Sequence, residues 1–188
     1  MPSTLSPGFL VASPALKDPN FDRTVIVLVE HSDDGSLGFV VNRPAPVTFA
    51  EVADLLKLEF GEGAEGTPVH FGGPVAPQSG WILFDPRGVE PDMLGEAVSV
   101  SERLAVSASR RLLATIARGE GPGTCLLALG YAGWGPGQLD REFTRGVWIP
   151  VDLHEPLVFE TAPEERWSEA LTRAGIDPAR MSGTAFSA

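Results

Sequence analysis

Apolar residues fall along the chain in short runs whose period shifts between two and three to four. Phe9–Ala12 is a brief apolar run halted by Pro14. Val25–Val29 is apolar at every position, which predicts a strand buried on both faces. Asp33-Asp34-Gly35-Ser36 supplies turn chemistry, and Leu37–Val41 returns as the hairpin partner. Asn42-Arg43-Pro44 ends that strand, because proline has no N–H to give a ladder. Phe49, Val52, Leu55 and Leu56 then recur at helical spacing to about Leu58. Thr48 and Glu51 have capping-box spacing ahead of them, and Val47 with Val52 occupies the staple positions.

Beyond the helix, Gly61–Thr67 reads as a loop, and Val69–Phe71 and Trp81–Phe84 read as strands. Val98 and Val100 alternate with serines, as in a half-buried strand. Leu112, Leu113 and Ile116 place a helix between about Ser107 and Arg118, closed by Gly119. Thr124–Leu129 is the second continuous apolar strand, and it runs into the turn Gly130–Gly137 and a short helix from Gln138. Trp148-Ile149 and Leu157–Phe159 read as closing strands. A last helix carries Trp167, Ala170, Leu171 and Ala174 inward, with Thr161 and Glu164 at capping-box spacing and Gly175-Ile176 suited to a Schellman stop. The pattern specifies a single α+β domain over residues 1–180, with a mixed β-sheet and three to four flanking helices. The glycine and proline density suits a curled or barrel-like sheet, and spacing leaves its closure open. Residues 181–188 are mostly small or polar, and they read as a disordered tail.

Composition narrows the function. Of 188 residues, 14 are Lys or Arg and 25 are Asp or Glu, a net charge of −11. Nucleic acid and anionic membranes both recruit clustered cations, so neither is an expected partner. One cysteine, Cys125, excludes a disulfide framework and a multi-thiolate metal site, and fits a reducing cytoplasmic compartment. The first residues lack a charged segment followed by a long apolar one, and no apolar run approaches the roughly 20 residues of a membrane span.

Most chemical motifs fail on context. Gly61-Glu62-Gly63-Ala64-Glu65-Gly66 spells the dinucleotide fingerprint, yet it follows a helix, leads to Pro68 and carries two carboxylates that would repel a pyrophosphate. Neither Lys17 nor Lys57 follows a glycine, so there is no phosphate loop, and no G-x-S-x-G elbow is present. His31, His70 and His154 lack ligand spacing and read as loop-end or sheet-edge residues. Cys125 reads as a small buried hydrophobe. No cofactor or metal is expected. The segment Gly130–Glu142 is the most informative: a strand, a glycine-rich turn and a helix start, with Tyr131 and Trp134 as amphipathic wall pieces. Asp140 and Glu142 near that helix start disfavour an anion and leave a neutral or cationic ligand, or a partner peptide, as the functional reading.

Three segments together resemble the YqgE/AlgH family. They are Ala12–Phe21 with Glu30-His31, Gly38 and Asn42-Arg43-Pro44; His70–Val75; and Leu129–Glu142, in order within Phe9–Ile176. The resemblance implies a small bacterial cytoplasmic protein of α+β fold whose signature positions carry no assigned catalytic role. Some members bear the label of transcriptional regulator of alginate production, which the charge of −11 does not favour as direct DNA contact. The candidate ligand- or partner-binding residues are Asn42, Arg43, Gly72, Gly73, Tyr131, Gly133, Trp134, Gln138 and Glu142. The leading expectation is a non-enzymatic binding or regulatory module acting through a protein or small-ligand partner. The first alternative is an enzyme or small-molecule binder with Arg43 holding an anion and Glu142 acting as base. The second is a direct DNA-binding regulator.

Overall fold

The computed structural model describes residues 6–182. Among these residues nine strands form one open sheet: β1 (Gly8–Ala12), β2 (Val25–Ser32), β3 (Gly35–Val40), β4 (Val69–Phe71), β5 (Val75–Phe84), β6 (Val98–Ser101), β7 (Leu104–Ser107), β8 (Cys125–Trp134) and β9 (Trp148–Val151). Their order is β6-β7-β5-β8-β3-β2-β1-β9, with β4 lying parallel to β8 off this path. The helices are α1 (Phe49–Leu55), α2 (Arg110–Ala117), α3 (Gln138–Thr144), α4 (Glu155–Phe159), α5 (Pro163–Arg173) and α6 (Pro178–Ser182).

Alternation along the strands sorts the core into three layers. Phe9, Val11, Val25 and Val27 share a cluster with Leu83, Leu126 and Ala128, and Leu157 and Val158 of α4 and Ala170 and Leu171 of α5 fill it. The residues between them, Leu10, Ala12, Ile26 and Leu28, face the other way and meet Trp148 and Leu139 of α3. At the far half of the sheet, Ile82, Phe84 and Leu127 pack on Phe49 of α1 and on Leu112 and Ile116 of α2. This accounts for the two unbroken apolar runs. Val25–Leu28 are 0 % exposed because both faces of β2 are covered.

The strand β8 joins the halves and changes parity in doing so. Leu126 and Ala128 face the central cluster and Leu127 the α1–α2 side; past Gly130, Tyr131 faces the centre while Ala132 and Trp134 turn to the α3 side. Gly130 sits at φ 73, a left-handed conformation, and acts as the bulge residue. Across from it, residues 76–79 of β5 loop out between the pairs Val75↔Tyr131 and Gly80↔Leu129.

Helix ends follow the sequence closely. Thr48 and Glu51 form the full capping box of α1. At α5, Gly175 N–H bonds to the Thr172 carbonyl and Ile176 N–H to that of Leu171, the Schellman pattern. Several expectations change, and the turn expected from Gly130 is strand as far as Trp134. Leu157–Phe159 forms α4 rather than a strand; Pro156 in the first turn and Glu155 beside it are helix-start signals that a three-residue apolar run concealed. Thr161 does not cap α5: Ala162 is the N-cap, Pro163 opens the helix, and the Thr161 hydroxyl donates to Glu169. Among the described residues six helices flank the sheet rather than three to four, the additions being the five-residue α4 and α6. The latter runs two residues into the stretch expected to be a disordered tail, and 183–188 lie outside the described residues. No helix among the described residues is long and apolar enough to cross a membrane.

Candidate functional site

The three signature segments meet at the crossing where β8 changes parity. Gly72 N–H donates to the Leu129 carbonyl, and the Gly72 carbonyl accepts from Val40, so this residue links β8 to β3. A Cβ on Gly73 would lie 2.1 Å from the Tyr131 carbonyl carbon, and one on Gly130 would lie 2.4 Å from the Gly73 carbonyl oxygen. Backbone therefore rests directly on backbone. Arg43 continues past β3 to pair with β4, its carbonyl accepting from Phe71 N–H at 2.8 Å.

The polar signature side chains are committed elsewhere. Asn42 accepts from Val25 N–H and donates to the Arg23 carbonyl. Arg43 donates to the carbonyls of Pro19, Asn20 and Asp22, which fastens the loop between β1 and β2. Glu142 accepts from the indoles of Trp134 (2.9 Å) and Trp148 (2.7 Å) and from the Gln138 amide (2.9 Å). Gln138 in turn accepts from Gly135 N–H, so the turn and the first face of α3 close on each other. Phe21 from the fastened loop stacks on Trp134 at 6.5 Å and meets Trp148 edge-on at 5.6 Å. Asn42, Arg43 and the two glycines thus gather at the crossing, whereas Gln138 and Glu142 sit behind Trp134. Among the described residues no ion pair joins Arg43 to Glu142.

Tyr131, Gly133 and Trp134 do share an open cleft. It encloses about 390 Å³ between the β2–β3 hairpin and β8, and Glu30, Asp34 and Ser36 also line it. Register explains the membership: Leu37 opposes Gly133 and Ser36 opposes Trp134, so the hairpin tip overhangs the end of β8. The absence of a side chain at Gly133 leaves the floor low, and Tyr131 is held edge-on to Trp81 at 6.3 Å. One wall is thus aromatic and the other carries two carboxylates. His31 ties the hairpin to α3: Nδ1 meets the Ser36 hydroxyl at 2.6 Å and Nε2 lies 3.3 Å from Asp140. Ser36 lies within a ladder rather than on a strand-to-helix elbow, and the Asp140 side chain is 63 % exposed. This chain works as a brace of the cleft wall.

The remaining chemistry-bearing residues lie apart. His70 is buried in β4, its pKa lowered to about 4 by burial and then by the charge of Arg166, and its Nδ1 has no partner. His154 is the N-cap residue of α4. Burial pushes the Cys125 thiol up to about 11, so it stays protonated. The Gly61–Gly66 loop leads into β4 and closes over the end of α2, with Gly61 N–H donating to the Ala117 carbonyl. No group of three or more His, Cys, Asp or Glu among the described residues is arranged to hold a metal. Sequence reasoning missed Arg166, which is buried to 5 % exposure in α5. It stands four residues before Ala170, so the helix's inward stripe, extended one turn back, ends on a cation.

Fold and site together define a small α+β protein with a bulged central strand and an acidic, aromatic cleft beside it. The AlgH-like family model matches residues 9–179, and the chain belongs to that family. It is 48 % identical over 183 residues to a UPF0301 protein of Anaeromyxobacter dehalogenans, covering 95 % of this chain and 92 % of the relative. It is 41 % identical to a UPF0301 protein of Paracoccus denitrificans, covering 96 % and 95 %. The solution structure of the AlgH protein from Pseudomonas aeruginosa superposes with a TM-score of 0.78 at 35 % identity, covering 100 % of this chain and 98 % of that one.

Proposed function

We propose that this protein is a non-enzymatic binding module of the cytoplasm, whose cleft between the β2–β3 hairpin and β8 receives a cationic segment of a protein partner. The observation that carries this reading is the lining of the cleft, with Tyr131 on one side and Glu30 and Asp34 on the other. Aromatic faces and carboxylates together favour Lys and Arg side chains, through cation–π contact and charge. The net charge of −11 works in the same direction over longer range. The two groups best suited to chemistry, Arg43 and Glu142, are occupied in holding the loop and the indoles, which favours binding over catalysis. A regulatory output through such a partner needs no DNA contact.

Glu30 and Asp34 are exposed, so reversing both charges leaves the core intact. Affinity capture from a native lysate is expected to lose its specific partner when Glu30→Lys and Asp34→Lys are combined. Recovery of the same proteins by both forms would contradict the proposal.

A further inference from the structure

We propose that a second pocket, beside the first residues of β8, is a binding site for a small oxyanion, a carboxylate or a phosphate, held by Arg166. The guanidinium is buried, and two of its nitrogens are committed: Nε donates to the Thr161 carbonyl at 2.9 Å and Nη1 to the Val41 carbonyl. Nη2 has no acceptor, and no carboxylate lies within ion-pair distance of Arg166 among the described residues. Nη2 is not among the unpartnered polar atoms shut off from solvent, so it is open to a ligand, and a largely buried cation without a counter-charge is stabilised by an anion there. Burial lowers its pKa to about 10, a shift that nearby Glu164 partly offsets, so it remains charged at neutral pH.

The surroundings suit an anion. Arg166 lines a pocket of about 210 Å³ with Pro68, Thr124, Cys125, Val158 and Phe159, and none of these is a carboxylate. The Cys125 thiol, protonated through burial, adds no negative charge. Thr124 brings a hydroxyl to the lining, and the apolar wall from Val158 and Phe159 lowers the local dielectric, which strengthens a charge-assisted bond to the free Nη2. The volume of about 210 Å³ is roughly seven times the share of one liquid water, about 30 Å³, so it admits an acetate or phosphate ion together with some of its water. This site has the opposite charge preference to the hairpin cleft and stands independently of it.

The test is an amide chemical-shift titration of the intact protein with sodium phosphate and, separately, sodium acetate, each against sodium chloride at matched ionic strength. Saturable shifts at Thr124, Cys125 and Leu126 are expected with at least one oxyanion and not with chloride. Saturation by phosphate alone assigns a phosphate ligand, by acetate alone a carboxylate, and by both a general oxyanion site. Arg166→Gln is expected to abolish the response. Because that variant also loses two structural bonds, Gly123→Glu provides the second arm. Gly123 lines the pocket, and a Cβ there meets nothing within 4 Å, so the new carboxylate repels the ligand while Arg166 keeps its bonds. Its expected effect is at least about tenfold weaker binding. Absence of saturation with either oxyanion, or an unchanged affinity in Gly123→Glu, would overturn the proposal.

Discussion

Gly130→Ala is expected to destabilise the protein by about 3–5 kcal/mol, at the upper end of single-residue effects. Two penalties coincide at this residue. Its φ of 73 lies where an L side chain crowds the following carbonyl, a cost of roughly 1–2 kcal/mol. The added methyl would also sit 2.4 Å from the Gly73 carbonyl oxygen and 2.9 Å from that of Val75. Both obstacles are backbone atoms of paired segments, so relief requires the crossing to open, and the crossing is what joins the two halves of the sheet. Gly66→Ala is the matched control, because a Cβ there meets nothing within 4 Å. Denaturant midpoints are expected to separate the two variants clearly, with Gly66→Ala within about 0.5 kcal/mol of the parent. A Gly130→Ala protein as stable as its control would mean that β8 can change parity without a left-handed residue.

The second large effect is a loss of stability in mild acid, caused by His70. Its pKa falls from 6.5 when unfolded to about 4 in the fold, first through burial and then through Arg166. Below pH 6.5 the unfolded chain takes up a proton that the native state refuses, so stability is full above that pH. It is lost progressively toward pH 4 and levels off below it. The interval of 2.5 pH units corresponds to about 3 kcal/mol at 1.36 kcal/mol per unit. Denaturant curves between pH 7 and pH 5 are expected to show this slope in the parent. In His70→Asn the slope is expected to flatten, whatever the absolute cost of the substitution. An unchanged slope would place the acid sensitivity on other groups.

Much of the architecture is legible in the sequence because it rests on local rules. The all-apolar runs at Val25 and Cys125 mark the doubly covered strands, and Thr48 with Glu51 marks the start of α1. What escapes is non-local. The strand β7 hides at Leu104–Ser107, just ahead of the expected helix, because only its pairing with β5 and β6 makes it a strand. Leu157–Phe159 is too short for periodicity to separate helix from strand. The glycines at 72, 73 and 130 are visible as punctuation, yet their mutual contact spans some sixty residues and exists only once the sheet has formed. The candidate site divides the same way. Tyr131, Gly133 and Trp134 reach the cleft, but its acidic wall comes from Glu30, which belongs to one of the resembling segments though it is not a candidate site residue, and from Asp34, which reads as ordinary turn chemistry. Glu142 reads as a free carboxylate until Trp134 and Trp148 are brought over it.

The proposed role of the hairpin cleft as a receptor for cationic segments is open to a chemical-shift titration with a lysine-rich peptide. A glutamate-rich peptide of the same length serves as the comparison. Saturable shifts at Ser36, Leu37, Tyr131 and Gly133 are expected with the lysine-rich peptide alone, weakening as salt is added and vanishing in the Glu30→Lys, Asp34→Lys protein. Equal responses to both peptides, or shifts that leave the cleft residues untouched, would contradict it.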